Sequence, residues 1–507
     1  MNKEWNWLKK RADIHPEKTA VIDGESGHKW TYGEVYKKSL SCAKMLEGKG
    51  IKSGDRVVLI APNGVEYLIL LFACRELEAI FVPFNWRLTV HELNDLISDC
   101  KPVLLFIHPS FLHLQEKLSM DAVAYDVGEW KEDIVFSAGK ESLALDQPWM
   151  MIYTGGTTGK PKGAVLSYRS VFTNSANTII TWGLSEKDTT LTILPMFHTG
   201  GINALTLPVL HAGGTVVIYS QFKPQAILEG LLSYQCTVVL MVPTMYRAFI
   251  KLEDFQKETF PHMDVFLSGG APCPVSIYDA FEGKGLPFKE GYGLTEAGPN
   301  NFFIDPSVAK KKRGSVGKPM LLNDVKLLNK RGNEVKCGEI GEMVIFGDHL
   351  FQYYWQKEEE TKKAVRNGGL HTGDLAYQDQ DGDFFILGRK KEMLISGGEN
   401  VYPIEIENIL SAYPGLLEAA VVGLPDEKWG EKVVCAVALE GLDQGDKHTD
   451  QLLQAFCREK LAGYKVPKEF YLMEELPKTH VGKIDKKAIV EHVQNSRLFI
   501  DTTINEN

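Results

Sequence analysis

Long apolar runs are absent from this sequence of 507 residues. The most apolar stretch is YLILLFAC at residues 67–74, and it stops at Arg75-Glu76. A helix that spans a membrane needs about 20 apolar residues, so we expect no integral membrane segment. The first residues, MNKEWNWLKKRADIHPEK, are charged throughout and lack the apolar core of a secretory signal.

Paired cysteines and an excess of positive charge are absent as well. The eight cysteines are scattered singly with no C-x-x-C, which favours reduced thiols in the cytoplasm over a zinc site or a disulfide framework. The formal net charge of −10 is unfavourable for wrapping nucleic acid. We therefore expect a cytoplasmic protein that binds small molecules and no nucleic acid, and the sequence leaves a homodimer open.

Helical and strand patterns alternate through the first half of the chain. TYGE at residues 31–34 predicts a capping box, in which the Thr31 hydroxyl and the Glu34 carboxylate satisfy free N–H groups where a helix begins. Apolar runs of strand length, such as RVVLIAP at 56–62 and TVVLMVP at 237–243, are typical of a parallel sheet buried on both faces. Strands separated by helices predict an α/β fold.

The pattern changes near Gly341, where GEMVIFG and then GDFFILGRKKEMLIS indicate short strands with turns. We predict a large N-terminal domain, residues 1–390, with parallel-type sheets flanked by helices and a small barrel-like part. Residues 391–507 are predicted to form a small α+β domain, because Lys390 and Lys391 interrupt two apolar runs.

The stretch YTGGTTGKPKG at residues 153–163 looks like a phosphate loop, yet it departs from the G-x-x-x-x-G-K-[ST] pattern. Pro161 follows Gly159-Lys160 and offers neither a hydroxyl for magnesium nor a backbone N–H. This excludes the usual kinase or GTPase loop. Glycines let a backbone approach an oxyanion closely, so the loop's N–H groups, hydroxyls and lysine could still surround a polyphosphate. A surface loop without a ligand is the alternative.

The loop resembles the signature of the adenylate-forming enzymes, which include acyl- and aryl-CoA synthetases, luciferases and the adenylation domains of peptide synthetases. Seven further stretches match that family in its order: PMFHTGG at 195–201, SGGAP at 268–272, GYGLTEAGP at 291–299, GSVGKP at 314–319, HTGDLAY at 371–377, LGRKKEMLISGGENVYPIEIE at 387–407 and PKTHVGKI at 477–484. The resemblance covers residues 20–490. A single motif can arise by chance, but a complete ordered set cannot.

In this family a carboxylate attacks the α-phosphate of ATP, pyrophosphate leaves, and a thiol, usually that of coenzyme A, opens the acyl-adenylate. The resemblance therefore implies ATP, Mg²⁺ and coenzyme A as cofactors. Because an anionic nucleophile must approach a polyanion, catalysis should rest on positioning and preorganised positive charge.

The resemblance also implies nucleotide contacts residue by residue. The loop would hold the β- and γ-phosphates with Thr154, Gly155, Gly156, Thr157, Thr158, Gly159, Lys160 and Lys162. The adenine and acyl sites would be lined by Gly270, Ala271, Gly291, Tyr292 and Gly293, with Tyr292 stacked on adenine. Asp374 would accept hydrogen bonds from both ribose hydroxyls, and Arg389 would add a ribose or phosphate contact. Gly155 stands where serine is usual, which removes one hydroxyl and leaves the backbone donors.

Catalytic roles are implied in the same way. Thr295 resembles the hydroxyl at the α-phosphate, and Glu296, with Thr154, resembles the ligand set of Mg²⁺, a hard cation that prefers oxygen. His198 resembles the histidine beside the reacting carboxylate. Lys483 resembles the lysine that reaches from the small domain to the acid oxygen and the α-phosphate. A surface glutamate, a structural histidine and a solvated lysine are the respective alternatives.

The family serves two half-reactions with one site by rotating the small domain. The hinge position falls on Lys391, where many members have aspartate. After rotation SGGEN at 396–400 would face the site, and Gly398, next to Gly397, resembles the glycine that lines the tunnel for the thiol arm. A turn glycine is the alternative, and both descriptions can hold.

The acid is predicted from the residue after Phe197. Relatives that activate amino acids have an aspartate there, whereas this chain has His198, so a substrate ammonium would lack its partner. PFNWRLT at 83–89 resembles fatty-acid ligases, and the small residues at 199–201 could open an apolar tunnel. We expect a medium- or long-chain fatty acid, and hence a role in fatty acid and lipid metabolism.

Three other functions stay open on the sequence. An aryl acid such as succinylbenzoate or a cinnamate is the next substrate class. A stand-alone enzyme that loads a carrier protein would use the same adenylation residues. A non-catalytic nucleotide sensor would keep Asp374 and Tyr292 but could dispense with Glu296 and Lys483; both are present, which favours the enzyme.

Overall fold

The computed structural model describes residues 3–125, 142–155, 161–440, 449–478 and 484–504. Its helices are Trp7–Ile14, Tyr32–Gly48, Glu66–Leu77, Val90–Cys100, Tyr168–Trp182, Thr199–Ile202, Thr206–Ala212, Pro224–Ser233, Pro243–Ile250, Glu253–Lys257, Val275–Gly283, Pro306–Ala309, Glu358–Ala364, Pro403–Leu410, Thr449–Arg458 and Lys486–Ile504. Short 3₁₀ turns cover Pro109–Lys117, Thr295–Ala297 and Lys390–Glu392. Among the residues that are described, no helix is long and apolar enough to cross a membrane.

Two of the three seven-stranded sheets are built mainly from parallel strand pairs. The first sheet runs in the order Tyr353–Tyr354, Lys162–Ser167, Pro148–Thr154, Ile80–Phe84, Arg56–Ile60, Leu104–Ile107 and Val123–Ala124. The second sheet runs Phe288–Glu290, Val265–Ser268, Val238–Met241, Thr189–Thr192, Thr215–Ile218, Thr19–Asp23 and Lys29–Thr31. The second sheet is parallel except for its last pair, as the continuous apolar runs predict.

A third sheet is antiparallel and corresponds to the predicted barrel-like part. Its order is Phe302–Phe303, Ser315–Pro319, Phe384–Arg389, Gly369–Gln378, Gly341–Phe346 and Asp324–Leu328, and Val365–Arg366 pairs with Gly369–Gln378. The C-terminal sheet contains Glu399–Val401, Leu394–Ser396, Gly430–Leu439, Leu416–Asp426 and Glu469–Leu472. A short pair joins Lys3–Trp5 to Ser142–Ala144. The predicted α/β fold class is confirmed.

Local sequence signals account for the element boundaries. The capping box is present: Glu34 N–H donates to Thr31 Oγ1 at 3.1 Å, and Thr31 N–H donates to Glu34 Oε2 at 2.6 Å. The apolar stretch that is too short for a membrane lies in helix Glu66–Leu77, whose residues are buried from Glu66 to Glu76. This helix packs between helix Tyr32–Gly48 and the first sheet, so it is a core element.

The predicted domain boundary falls where the chain leaves the third sheet. Strand Phe384–Arg389 ends there, Lys390–Glu392 forms a 3₁₀ turn, and Leu394–Ser396 opens the C-terminal sheet. The C-terminal sheet has hydrophobic clusters of its own, in which Val421 and Cys435 lie on one face and Val422 and Val434 on the other. The division at 390/391 stays a prediction.

Candidate active site

The predicted adenine-side residues lie where two parallel strands end. Ser268 and Glu290 pair in register, and the chain continues into Gly269-Gly270-Ala271 after the first strand and Gly291-Tyr292 after the second. Gly291 N–H donates to the Ser268 carbonyl at 2.8 Å, which joins the two strand ends. Ligands of open α/β sheets bind outside the carboxyl ends of the strands, and this is such an edge.

The turn after Tyr292 can be built only with glycine. A Cβ on Gly293 would lie 2.1 Å from the Pro299 carbonyl oxygen, so no side chain fits. Asn301 N–H donates to the Tyr292 carbonyl at 3.1 Å, so the chain folds back here, and Thr295 and Glu296 lie within the resulting loop on the turn Thr295–Ala297.

Asp374, the predicted ribose ligand, is bound by Tyr292, the predicted adenine contact, and by Arg389, the predicted ribose or phosphate contact. Tyr292 Oη donates to Asp374 Oδ2, and Arg389 Nε donates to Asp374 Oδ1 at 2.7 Å. Asp374 is 5% exposed, and a buried carboxylate needs such partners. Burial, followed by the Asp374 charge, raises the pKa of Tyr292, so its phenol stays a donor.

Glu296 is oriented by a segment that sequence reasoning missed. Tyr354 Oη donates to Glu296 Oε1 at 2.7 Å, and Phe351 N–H donates to the Glu296 carbonyl at 2.8 Å. The turn that carries Glu296 contacts strand Lys162–Ser167, whose first residue pairs with Thr154. A half-buried carboxylate and a threonine hydroxyl on neighbouring elements are the hard oxygen donors that Mg²⁺ prefers.

Only the two ends of the glycine loop lie within the described residues. Thr154 pairs with Lys162, and the Thr154 hydroxyl donates to the Lys162 carbonyl at 3.4 Å. Lys162 forms an ion pair with Glu360 and lies 5.2 Å from the centre of the Tyr354 ring. Gly155 is exposed with open space around it. Outside the described residues lie Gly156, Thr157, Thr158, Gly159, Lys160 and Lys483.

His198 follows a parallel strand of the second sheet and is half-buried. Its ring makes an edge contact with Phe197, with 4.6 Å between centroids. Asn63, at the end of a first-sheet strand, holds this segment: its amide donates to the Leu194 carbonyl at 2.9 Å and accepts from Met196 N–H at 2.8 Å. Asn63 is a second positioning residue that the sequence did not reveal, because it carries no motif.

The C-terminal residues lie on a tight hairpin. Gly397 has φ +61° and Gly398 has φ +84°, which L side chains rarely adopt. A Cβ on Gly397 would meet the Trp429 ring at 3.1 Å, whereas Gly398 faces open space. Lys391 is exposed in the turn Lys390–Glu392. The turn explanation therefore holds for both glycines, and the thiol-tunnel role stays a prediction.

Comparison with known proteins agrees with this geometry. The family described as AMP-binding enzyme matches residues 8–355, and its C-terminal domain matches residues 405–483. The chain belongs to the AMP-binding enzyme family, as the motifs predicted. It is an ATP-dependent, AMP-forming acid–thiol ligase, with ATP, Mg²⁺ and coenzyme A as its cofactors.

Several curated and solved relatives match over nearly their whole length. A feruloyl-CoA synthase from Amycolatopsis sp is 37% identical over 491 residues, 96% of this chain and 98% of that protein. An indoleacetate–CoA ligase from Aromatoleum aromaticum is 34% identical over 513 residues, 98% and 99% of the two chains. The o-succinylbenzoate CoA synthetase from Bacillus subtilis, solved with its acyl-adenylate intermediate, has a TM-score of 0.86 at 28% identity, covering 96% and 97%. The expected fatty-acid specificity is not confirmed by these relatives.

Proposed function

We propose that this protein is a CoA ligase for an aromatic carboxylic acid. The adenylation chemistry is supported by one observation: Tyr292 and Arg389 both bind Asp374. Tyr292 follows a strand end, and the turn that contains Glu296 comes three residues later. The substrate class is supported by relatives named for feruloyl, indoleacetyl and succinylbenzoyl groups, all of which contain an aromatic ring. Gly270 and Ala271, in the segment after strand Val265–Ser268, are small and exposed.

In the proposed first half-reaction each residue acts on charge or position. Asp374 and Arg389 hold the ribose, and Tyr292 packs on the adenine. His198 orients the acid carboxylate against the α-phosphate. Glu296 and Thr154 would hold Mg²⁺, which would neutralise phosphate charge when bound. Lys483 donates to the acid oxygen as pyrophosphate leaves along the glycine loop.

The proposed second half-reaction needs a different orientation of residues 391–507. A mobile lysine suits this scheme because its charge can be withdrawn after the first step. Rotation about Lys391 would remove Lys483 and present Gly398 to the incoming thiol. All eight cysteines are free, which fits the reducing cytoplasm that we propose for the enzyme.

The substrate proposal is tested with a panel of acids. Purified protein is incubated with ATP, Mg²⁺ and CoA, and with ferulate, indole-3-acetate, 2-succinylbenzoate, octanoate, palmitate or phenylalanine. AMP, pyrophosphate and the thioester are quantified. We expect the highest kcat/KM with ferulate, indole-3-acetate or 2-succinylbenzoate.

The other outcomes separate the alternatives. A preference for palmitate or octanoate would support the fatty-acid prediction, which the Mycobacterium tuberculosis fatty acyl CoA synthetase favours at 29% identity and a TM-score of 0.76. Pyrophosphate exchange without a thioester would indicate a carrier-loading enzyme. No nucleotide turnover with any acid would indicate a sensor.

A further inference from the structure

Two adjacent tyrosines next to the site have different surroundings. Tyr353–Tyr354 is a two-residue strand at the edge of the first sheet, and it pairs with Val165 and Ala164. Successive side chains of a strand point to opposite faces. Tyr353 packs against the hydrophobic cluster that contains Phe84 and Val165. Tyr354 turns the other way and donates its phenolic hydrogen to Glu296 Oε1 at 2.7 Å.

Tyr354 is fixed from several sides. Its backbone N–H donates to Thr361 Oγ1 at 2.9 Å. The Lys162 ammonium lies 5.2 Å from the centre of its ring and pairs with Glu360 on helix Glu358–Ala364. The ring is thus held between the end of the glycine loop and the carboxylate of Glu296.

The same segment also fixes the backbone of Glu296. Phe351 N–H donates to the Glu296 carbonyl at 2.8 Å, three residues before Tyr354. The main chain and the carboxylate of Glu296 therefore both accept hydrogen bonds from residues 351–354. A neutral donor orients a carboxylate without neutralising it, and one hydrogen bond leaves oxygen lone pairs for a cation.

We propose that Tyr354 is a positioning residue for the Mg²⁺–ATP site, acting through Glu296. The proposal rests on the proposed function, in which Glu296 is a ligand of Mg²⁺. Burial, and then the charge of Glu296, raise the pKa of Tyr354, which keeps the phenol protonated as the donor. Without this bond the carboxylate would sample several rotamers and would pay entropy to bind the cation.

The test compares Tyr354→Phe with the matched variant Tyr353→Phe. Binding of a non-hydrolysable ATP analogue is measured by calorimetry over a Mg²⁺ titration, and AMP binding is measured in EDTA. A hydrogen bond to a charged group predicts that Tyr354→Phe needs about tenfold more Mg²⁺ for half-maximal affinity. AMP binding in EDTA should be unchanged, and Tyr353→Phe should match the wild type in both measurements.

Two further variants, Glu296→Gln and Glu296→Gln combined with Tyr354→Phe, test separately whether Glu296 is a ligand of Mg²⁺ and whether Tyr354 positions it. Glu296→Gln should reduce the dependence of ATP-analogue binding on Mg²⁺. If Tyr354→Phe causes no further change in the Glu296→Gln background, the two residues act as one unit, as proposed. The role of Tyr354 would be overturned, with the role of Glu296 left intact, by any of three results. These are additive effects of the two substitutions, an unchanged Mg²⁺ requirement in Tyr354→Phe, or a loss of AMP binding equal to the loss of ATP-analogue binding. An unchanged Glu296→Gln would overturn the metal-ligand assignment, and with it this proposal.

Discussion

At the scale of single residues, the site depends on a buried carboxylate that is held by two donors. Asp374 has its two oxygens bound by different elements, Tyr292 at a strand end of the second sheet and Arg389 on the third. A carboxylate that is 5% exposed would lose most of its hydration, and these donors replace it. The arrangement preorganises Asp374 before any nucleotide arrives.

We predict that Asp374→Asn weakens AMP binding about 10- to 100-fold, because hydrogen bonds to a charged group contribute about 1.5–3 kcal/mol. Calorimetric titration with AMP measures the loss. Asp379→Asn is the matched control, since Asp379 lies on the turn of the same hairpin and pairs with Lys312 at 2.7 Å. An equal loss in both variants would show that the fold, and not the ribose contact, was damaged.

At the scale of elements, strand Phe288–Glu290 delivers Tyr292 to the site and carries charged groups on both faces. Lys289, 3% exposed, lies over the rings of Trp182 and Phe303 at 4.3 and 4.2 Å. Glu290 points the other way and accepts from Tyr278 Oη at 2.6 Å and from Cys273 N–H at 3.1 Å. Burial raises the pKa of Glu290 from 4.5 to about 7.

This shift makes stability depend on pH. A carboxyl with a raised native pKa contributes stability that is present below pH 4.5 and is lost as pH rises through about 7. The loss is on the order of 3 kcal/mol. Glu290→Gln removes the titration while its amide can still serve both partners, so its free energy of unfolding should change less between pH 5 and 7.

Urea unfolding of Glu290→Gln and wild type at pH 5, 6 and 7 measures the difference. Burial lowers the pKa of Lys289 from 10.5 to about 7. Lys289 therefore makes stability rise with pH mainly above pH 7, because below that pH it is protonated in both the folded and the unfolded protein. The window from pH 5 to 7 excludes most of this effect. Glu253→Gln, an exposed pair to Lys257, is the control. Parallel pH profiles for Glu290→Gln and wild type would contradict the prediction.

At the scale of the whole molecule, ion pairs join the two predicted domains in the described orientation. Glu418 of the C-terminal sheet lies 3.8 Å from Arg247 on helix Pro243–Ile250 and 3.2 Å from Lys478. Lys478 forms an isolated bridge with Ile484, so these two residues bracket the segment that contains Lys483. The base of that segment is thereby linked to the N-terminal part.

We predict that Lys483→Ala slows formation of the acyl-adenylate by about 10²–10³, the usual effect of removing one preorganised charge. Thioester formation from supplied acyl-AMP and CoA should be largely retained, because the proposed second orientation withdraws this lysine. Quenched-flow measurement of each half-reaction provides the comparison, with Lys487→Ala as control. Equal loss of both half-reactions would mean that Lys483 has a different role.

Features that depend on residues close in sequence were predicted, and most contacts between residues far apart in sequence were missed. The capping box at Thr31 and the buried strands were predicted, because they depend on neighbours in sequence. Tyr354 and Asn63 were missed, because each acts on a segment 58 or more residues away and belongs to no motif. Glu290 was missed because it belongs to no motif, although its partners Tyr278 and Cys273 lie only 12 and 17 residues before it. Tyr168 is a core residue that stacks on Trp149, with 4.7 Å between the ring centroids.

The sequence by itself determined the fold class, because hydrophobic periodicity is a local property, and its ordered motifs resembled those of the family to which the chain belongs. Only the tertiary structure decided which groups hold Asp374 and Glu296, and that Lys162 pairs with Glu360. The Tyr354–Glu296, Tyr292–Asp374 and Lys162–Glu360 contacts join residues 58, 82 and 198 positions apart, and the distance through space between such residues is set by how the sheets pack, not by the chain between them.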